Sequence, residues 1–300
     1  MSILSSTQGT PERVFSLLSA ITTCGGSLDR GEAMALLDPG YTENGRLVKD
    51  GTNSAVTQTI SAAISLGVVF IEKRILHISK DFECNNFWTF GSRVHDRLRQ
   101  LPSNEKDAVV LETFAWVVVR SIEERRVGWM DEWNSETFAD AADSALPEGS
   151  NDEGEQRRIN STKLAAWRRW LTAIGLNVAL PGPGSLNWPV INSRMEAELS
   201  SLGFQPGQKI DADRFIGALA SRMPYIDRGP MFQLTAARVG STPPQSELSP
   251  ITSAGLRSLH DRGIITLEWR GDASNSVRLT GEPTHEINNF HRVIVGGTVT

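Results

Sequence analysis

The sequence predicts a mainly α protein with small β wings, a winged helix-turn-helix module standing at each end of a helical middle. Three observations carry this. Near residue 67 and again near residue 263, an amphipathic helix stops at a glycine and a strand pattern begins at once: ISAAISLGVVFIE and LRSLHDRGIITLE. Each of these junctions is preceded by two further helical segments, so the order is helix, helix, helix, strands, as in relatives of the helix-turn-helix. The 300-residue length allows for more than one domain.

Taken in order, residues 1–10 read as a loose leader. Pro11 opens a helix in which Val14, Leu17, Leu18 and Ile21 share one face, and Gly25 and Gly26 end it. A short helix from Asp29 through Met34, Leu36 and Leu37 stops at the turn Asp38-Pro39-Gly40. A third starts at Asn53 or Ser54, runs through Val56, Ile60, Ala63 and Ile64, and closes at Gly67. VVFIEKRILHIS then reads as two strands around Glu72, Lys73 and Arg74. These elements form an expected domain of residues 1–90.

Residues 91–210 are the expected helical middle domain. The longest helix, 104–126, is apolar around much of its girth, which predicts a central position. Residues 127–156 hold nine acidic side chains and no basic ones, and PEGSNDEGEQ at their end has the composition of a mobile loop. Helices are expected at 161–175 and 190–202, joined by the Pro181-Gly182-Pro183-Gly184 connector.

Residues 211–300 repeat the opening architecture. A helix from Asp211 or Asp213 carries Phe215, Ile216, Leu219 and Met223, and a short one follows near 230–239. A third runs from Ser249 to Gly263, a strand covers Ile264 to Trp269, a turn spans 271–275, and another strand covers Ser276 to Thr280.

This arrangement, with the Trp-rich segment STKLAAWRRWLTAIGL, PYIDRGPMF at 224–232 and LSPITSAGLRSLHDRGII at 248–265, resembles the DpdG-like proteins. The resemblance covers most of the chain. It implies an accessory, non-catalytic role in a prokaryotic phage-defence or 7-deazaguanine DNA-modification locus, and it supplies no binding residues.

Composition narrows the function classes. Net charge is −5, from 30 basic and 35 acidic residues, whereas proteins that grip phosphate backbones usually carry a basic surplus. The third helix of the first module has no Lys or Arg; its polar face offers Ser54, Thr57, Gln58 and Ser61. Lys49 precedes it, and Lys73 and Arg74 stand on the wing. The second module has Arg257, His260 and Arg262 on or near its third helix, with Arg270 and Arg278 by its wing. Asp261, Glu268 and Asp272 are interleaved with them.

The densest basic cluster is Arg157, Arg158, Lys163, Arg168 and Arg169, beside Trp170. Cations interleaved with an aromatic can track a nucleic-acid strand. The nearer expectation is that they pair with the acidic 127–156 segment. The eight Trp residues read as core anchors, Trp167 on the apolar stripe and Trp170 one position off it.

No enzymatic motif is found. Phosphate-loop and dinucleotide fingerprints are absent, and PGPGS lacks the lysine such a loop needs. His285 and His291 are six apart, not the four that puts two imidazoles on one helical face. Asp131, Glu132, Glu136, Asp140 and Asp143 could ligate a metal, but surface carboxylates explain them more simply. Cys24 and Cys84 have no partner at ligand spacing. The longest apolar run, Phe114 to Val119, is too short to span a bilayer, and no signal peptide is seen.

The expectation is a cytoplasmic, non-enzymatic adaptor without cofactor or metal. Its partners would be other subunits of a defence or DNA-modification complex, or a second copy in a homodimer. The alternative is a regulator that binds double-stranded DNA through the C-terminal module and the 157–169 cluster.

Overall fold

A computed structural model of the chain describes residues 2–37, 54–82, 84–151, 156–179, 187–271, 273 and 275–296. They form eleven α-helices and small antiparallel or mixed sheets, a mainly α fold with minor β. The chain divides into two compact units. The first holds residues 1–110, 149–158 and 162–174; the second holds 111–148, 159–161 and 175–300.

In the first unit, α1 (Pro11–Thr23) buries Val14, Leu17, Leu18 and Ile21, the stripe its periodicity predicts. It leads through β1 (Ser27–Asp29), α2 (Arg30–Leu37) and α3 (Ser54–Ser65) to the hairpin β2 (Val69–Glu72) and β3 (Ile75–Ile78). The sheet order is β1-β3-β2, so β2 is an edge. α4 (Phe87–Leu98) follows. Gly91 on α4 lies so close to Ala173 that an added Cβ would sit 2.0 Å from the Ala173 carbonyl oxygen.

The expected long central helix begins later than its periodicity implies. A 3₁₀ turn at Lys106–Ala108 precedes α5 (Val109–Glu124), whose residues from Leu111 on belong to the second unit. The acidic 127–156 stretch is largely not a loop. After a 3₁₀ turn at Gly128–Glu132, α6 (Ser135–Ala145) is capped by Asn134, whose side chain accepts from the amides of Glu136 and Thr137. Phe138 then anchors it among Trp116, Trp129 and Trp133, with ring centroids 5.1–6.4 Å apart. Apolar anchoring on one face, with carboxylates on the other, makes this acidic stretch a helix. Asp152, Glu153 and Glu155 lie outside the described residues.

α7 (Leu164–Ala173) completes the first unit. Trp167 donates its indole N–H to the Val110 carbonyl at 3.0 Å, and Trp170 is buried beside Phe90.

The second unit continues with the short pair β4 (Val178–Ala179) and β5 (Asn187–Trp188), then α8 (Asn192–Ser201), β6 (Lys209–Asp211), α9 (Ala212–Arg222) and α10 (Pro230–Arg238). After β7 (Glu247–Leu248) come α11 (Pro250–Asp261), β8 (Ile265–Glu268), β9 (Val277–Leu279), β10 (Asn289–Phe290) and β11 (Arg292–Val295). The strands expected on either side of the 271–275 turn do not pair with each other. β8 pairs with β11 in a sheet of order β6-β11-β8, and β9 pairs with β10 and β7 in another. The Val293-Ile294-Val295 tail is therefore a central strand, with Val293 opposite both Ile210 and Leu267. In both the β1-β3-β2 and β6-β11-β8 sheets, the last strand in chain order sits in the middle.

Among the described residues no helix is long and apolar enough to cross a membrane. The turn at 38–40, Lys49, Asn53 and the 181–184 connector lie outside the described residues.

Candidate nucleic-acid interface

One strip of α3, including Gln58 of its polar face, is occupied from within the chain. Residues 2–9, expected as a loose leader, are held against it. Ile3 and Leu4 are fully buried, a gain of about 1.5–3 kcal/mol for each side chain. Asp107, itself buried, accepts from the Ser2 hydroxyl (2.7 Å) and the Ile3 amide (2.9 Å) on one carboxylate oxygen. It accepts from the Ser65 hydroxyl (2.5 Å) on the other. Gln58 turns its carbonyl to the Gln8 amide at 2.8 Å. Gly9 presses on the same strip, where an added Cβ would meet Ala62 at 2.7 Å.

The strip Gln58, Ala62, Ser65 is thus covered, and Val56, Ile60 and Ala63 pack in the core. Thr57 and Ser61 are half-buried, and Ile64 is exposed. None of these is a cation.

Lys73 and Arg74 form the two-residue turn between β2 and β3, with Glu72 opposite Ile75. Both are exposed, with φ of 48° and 76°. Such turns require positive φ at both positions and normally use Asn-Gly, so two long cationic side chains stand here at a conformational cost.

The 157–169 cluster does not form one outward patch. Arg158 is buried and donates to the Glu105 carbonyl at 3.0 Å. Lys163 is buried too, its ammonium on the carbonyls of Arg158 (3.1 Å) and Arg157 (3.4 Å). Arg168 is half-buried. Arg157 and Arg169 are exposed, and Arg169 reaches Glu12 at 2.9 Å.

In the second unit, α11 is enclosed by the long insertion between β8 and β11. Arg257 is only 2% exposed. Its guanidinium donates to the carbonyls of Ile287 (3.1 Å), Thr280 (2.8 Å) and Leu279 (3.4 Å) and to the Asn288 side chain (3.0 Å). Burial lowers its pKa from the ordinary arginine value. One turn earlier, the Ser253 hydroxyl accepts from the Thr280 amide at 2.9 Å and donates to the Leu248 carbonyl. His260 accepts from the Leu267 amide. Arg262 pairs with Glu196 at 2.8 Å, Arg278 pairs with Glu247 at 3.0 Å, and Arg270 is exposed.

The N-terminus of α11 holds a buried carboxylate absent from the sequence-level candidates. Asp227 accepts from the Ser249 amide (2.8 Å) and hydroxyl (2.6 Å). Burial raises its pKa above the usual carboxylate range, against the opposing pull of the Ser249 and Thr252 hydrogen bonds. A polar cleft of 790 Å³ was likewise not legible in the sequence. Its floor is the cross-strand row Glu247, Arg278, Asn289, and Arg125 and Glu282 line its walls. The opposite charges in it offset one another.

The segments behind the family resemblance turn out to build the fold. In 224–232, Tyr225 packs edge-on to Phe114, Asp227 holds Ser249, the N-cap of α11, and Arg228 pairs with Asp213 at 2.6 Å from a backbone φ of 67°. Gly229 has no room for a Cβ, which would lie 2.3 Å from the Pro224 carbonyl oxygen. Trp167, Trp170, Lys163, Ser249 and Arg257 are equally internal. Among curated proteins and solved structures, none matches the chain. A sequence model described as DpdG-like matches residues 1–273, through both helix-and-glycine junctions and the Trp-rich segment between them, and the chain belongs to the DpdG-like family.

Proposed function

We propose that this chain is a non-catalytic adaptor in a prokaryotic DNA-modification or phage-defence system. In this reading α1 to β3 and α9 to β11 are winged-helix modules used to hold protein partners. Membership of the DpdG-like family suggests involvement in such a locus. The observation that carries the adaptor reading is that each third helix gives up a face to another segment of the chain, and on α3 the face left to solvent, Thr57, Ser61 and Ile64, holds no cation. The leader and Asp107 cover α3, and the β9–β10 insertion covers α11. A recognition helix must bring base-reading side chains to the groove and cations to its phosphates. On these helices the candidate base readers Gln58 and Arg257 are committed internally.

The supporting charge pattern is an acidic chain whose exposed cations are interleaved with carboxylates, as in Arg262 with Glu196 and Arg278 with Glu247. Exposed pairs of this kind give little net field.

Two measurements test the reading. Gel-shift titration with duplex DNA at two salt concentrations is expected to show no tight, steeply salt-dependent complex. Co-expression with the other products of the same locus is expected to give a stable complex in size-exclusion chromatography. Tight duplex binding that weakens steeply with salt would overturn the adaptor reading.

A further inference from the structure

We infer that the β2–β3 hairpin of the first unit is a contact site for single-stranded nucleic acid, with Phe70 as a base-stacking platform and Lys73 and Arg74 as its phosphate contacts. This goes beyond the adaptor reading and stands or falls separately from it.

Ser27, His77 and Phe70 form one cross-strand row on the solvent face. Phe70 and His77 are stacked, with centroids 5.1 Å apart and planes 20° from parallel. β2 is the sheet edge, so the row ends at Phe70, which is 46% exposed. A planar base arriving from the edge side continues a stack already begun by the protein, and every base has the π-face this needs.

The turn lies three residues along the strand from Phe70, a span of about 10 Å, comparable to the reach from one base to a neighbouring phosphate. Its two positions hold Lys73 and Arg74, exposed and at positive φ, where glycine and asparagine are the ordinary choices. Arg30, exposed, follows β1 directly, and its amide bonds the Arg74 carbonyl at 3.0 Å. The same region carries acids. Glu72 shares the face of Phe70, Glu32 is exposed on α2, and Asp29 accepts from the Gly31 amide at 2.7 Å. These carboxylates reduce the local positive field, so selectivity must come from stacking rather than charge density. That points to single strands, whose bases are open, and away from duplexes, whose base faces are covered by their own neighbours.

The test uses the full chain and a fluorescein-labelled oligothymidylate in anisotropy titrations. Binding is expected, about tenfold weaker at about 200 mM than at about 50 mM salt, as two to three phosphate contacts give. Phe70→Leu is expected to weaken binding about tenfold with the salt slope unchanged. Lys73→Gln and Arg74→Gln are each expected to lower the slope by about 0.7. An oligonucleotide with 2-aminopurine among the thymidines is expected to be quenched on binding, and Phe70→Leu is expected to remove the quench. All three side chains are exposed, and unchanged circular dichroism and urea midpoints verify folding. Absence of binding at the lower salt, equal affinity for duplex, or a Phe70→Leu protein with wild-type affinity overturns the proposal. Loss of a co-purifying subunit in Phe70→Leu with oligonucleotide binding intact overturns it in favour of a protein-docking edge.

Discussion

α3 and α11 occupy equivalent places, each ending at a positive-φ glycine (Gly67 and Gly263) just before a strand, yet each is covered by different means. α3 is covered by a segment that precedes its module, held mainly by two apolar side chains and one buried carboxylate. α11 is covered by a segment inserted into its module, held by one buried guanidinium that gathers backbone carbonyls. The polarity of the anchors follows from what they bind. Asp107 meets donors (an amide and two hydroxyls), whereas Arg257 meets acceptors, carbonyls at the end of β9 and just before β10. The shared outcome, a helix with one face covered in each unit, is reached by opposite chemistry.

The comparison can be broken most severely at Arg257. Arg257→Ala leaves several carbonyls without their donor and is expected to cost about 3 kcal/mol or more. Urea midpoints report the loss, and hydrogen exchange is expected to rise first in residues 277–290. An insertion that stays protected would mean that the β-pairing alone holds it. Asp107→Ala comes next, at about 2–3 kcal/mol, with faster exchange and proteolysis confined to residues 2–9. Releasing this cover uncovers no cation, so gel shifts with duplex DNA are expected to stay negative in the variant.

The smallest effect concerns the cap of α11. Because burial raises the Asp227 pKa, the folded chain keeps that proton to higher pH than the unfolded chain does. The associated stability is complete below the ordinary carboxylate pKa of about 4 and is lost as pH rises through the folded value. Asp227→Asn keeps an acceptor for the Ser249 amide and is expected to flatten that dependence, read as urea midpoints across pH. A slope unchanged in the variant would assign the effect to another group.

What could be read from the sequence was local. The stripe of Val14, Leu17, Leu18 and Ile21, the glycine stops, and the β2–β3 strands depend on neighbours within a few residues, and all appear where periodicity puts them. The three-residue strands β1 and β6 each bury a single apolar residue, Leu28 and Ile210, too little to stand out as alternation. The covers were illegible for a different reason. The Asp107 contacts to Ser2 and Ile3 span more than a hundred residues, and Arg257 on a helix surface looks solvated until the strands that supply its carbonyls are in place. The basic cluster dissolved likewise, since Arg158 and Lys163 are buried with hydrogen bonds to backbone carbonyls.

Asp107 and α7 also impose an order on synthesis. The first unit needs residues up to 174, so α1 to α4 leave the ribosome before their clamp and their last helix exist. At about 5–20 residues per second, the roughly 75 residues from the end of α4 to the end of α7 take about 4–15 s. Through that interval Phe90 and Gly91 on α4 lack Trp170 and Ala173, their partners on α7. A chain released near residue 100 is therefore expected to leave the α7-facing side of α4 uncovered, apolar surface of the kind that promotes aggregation.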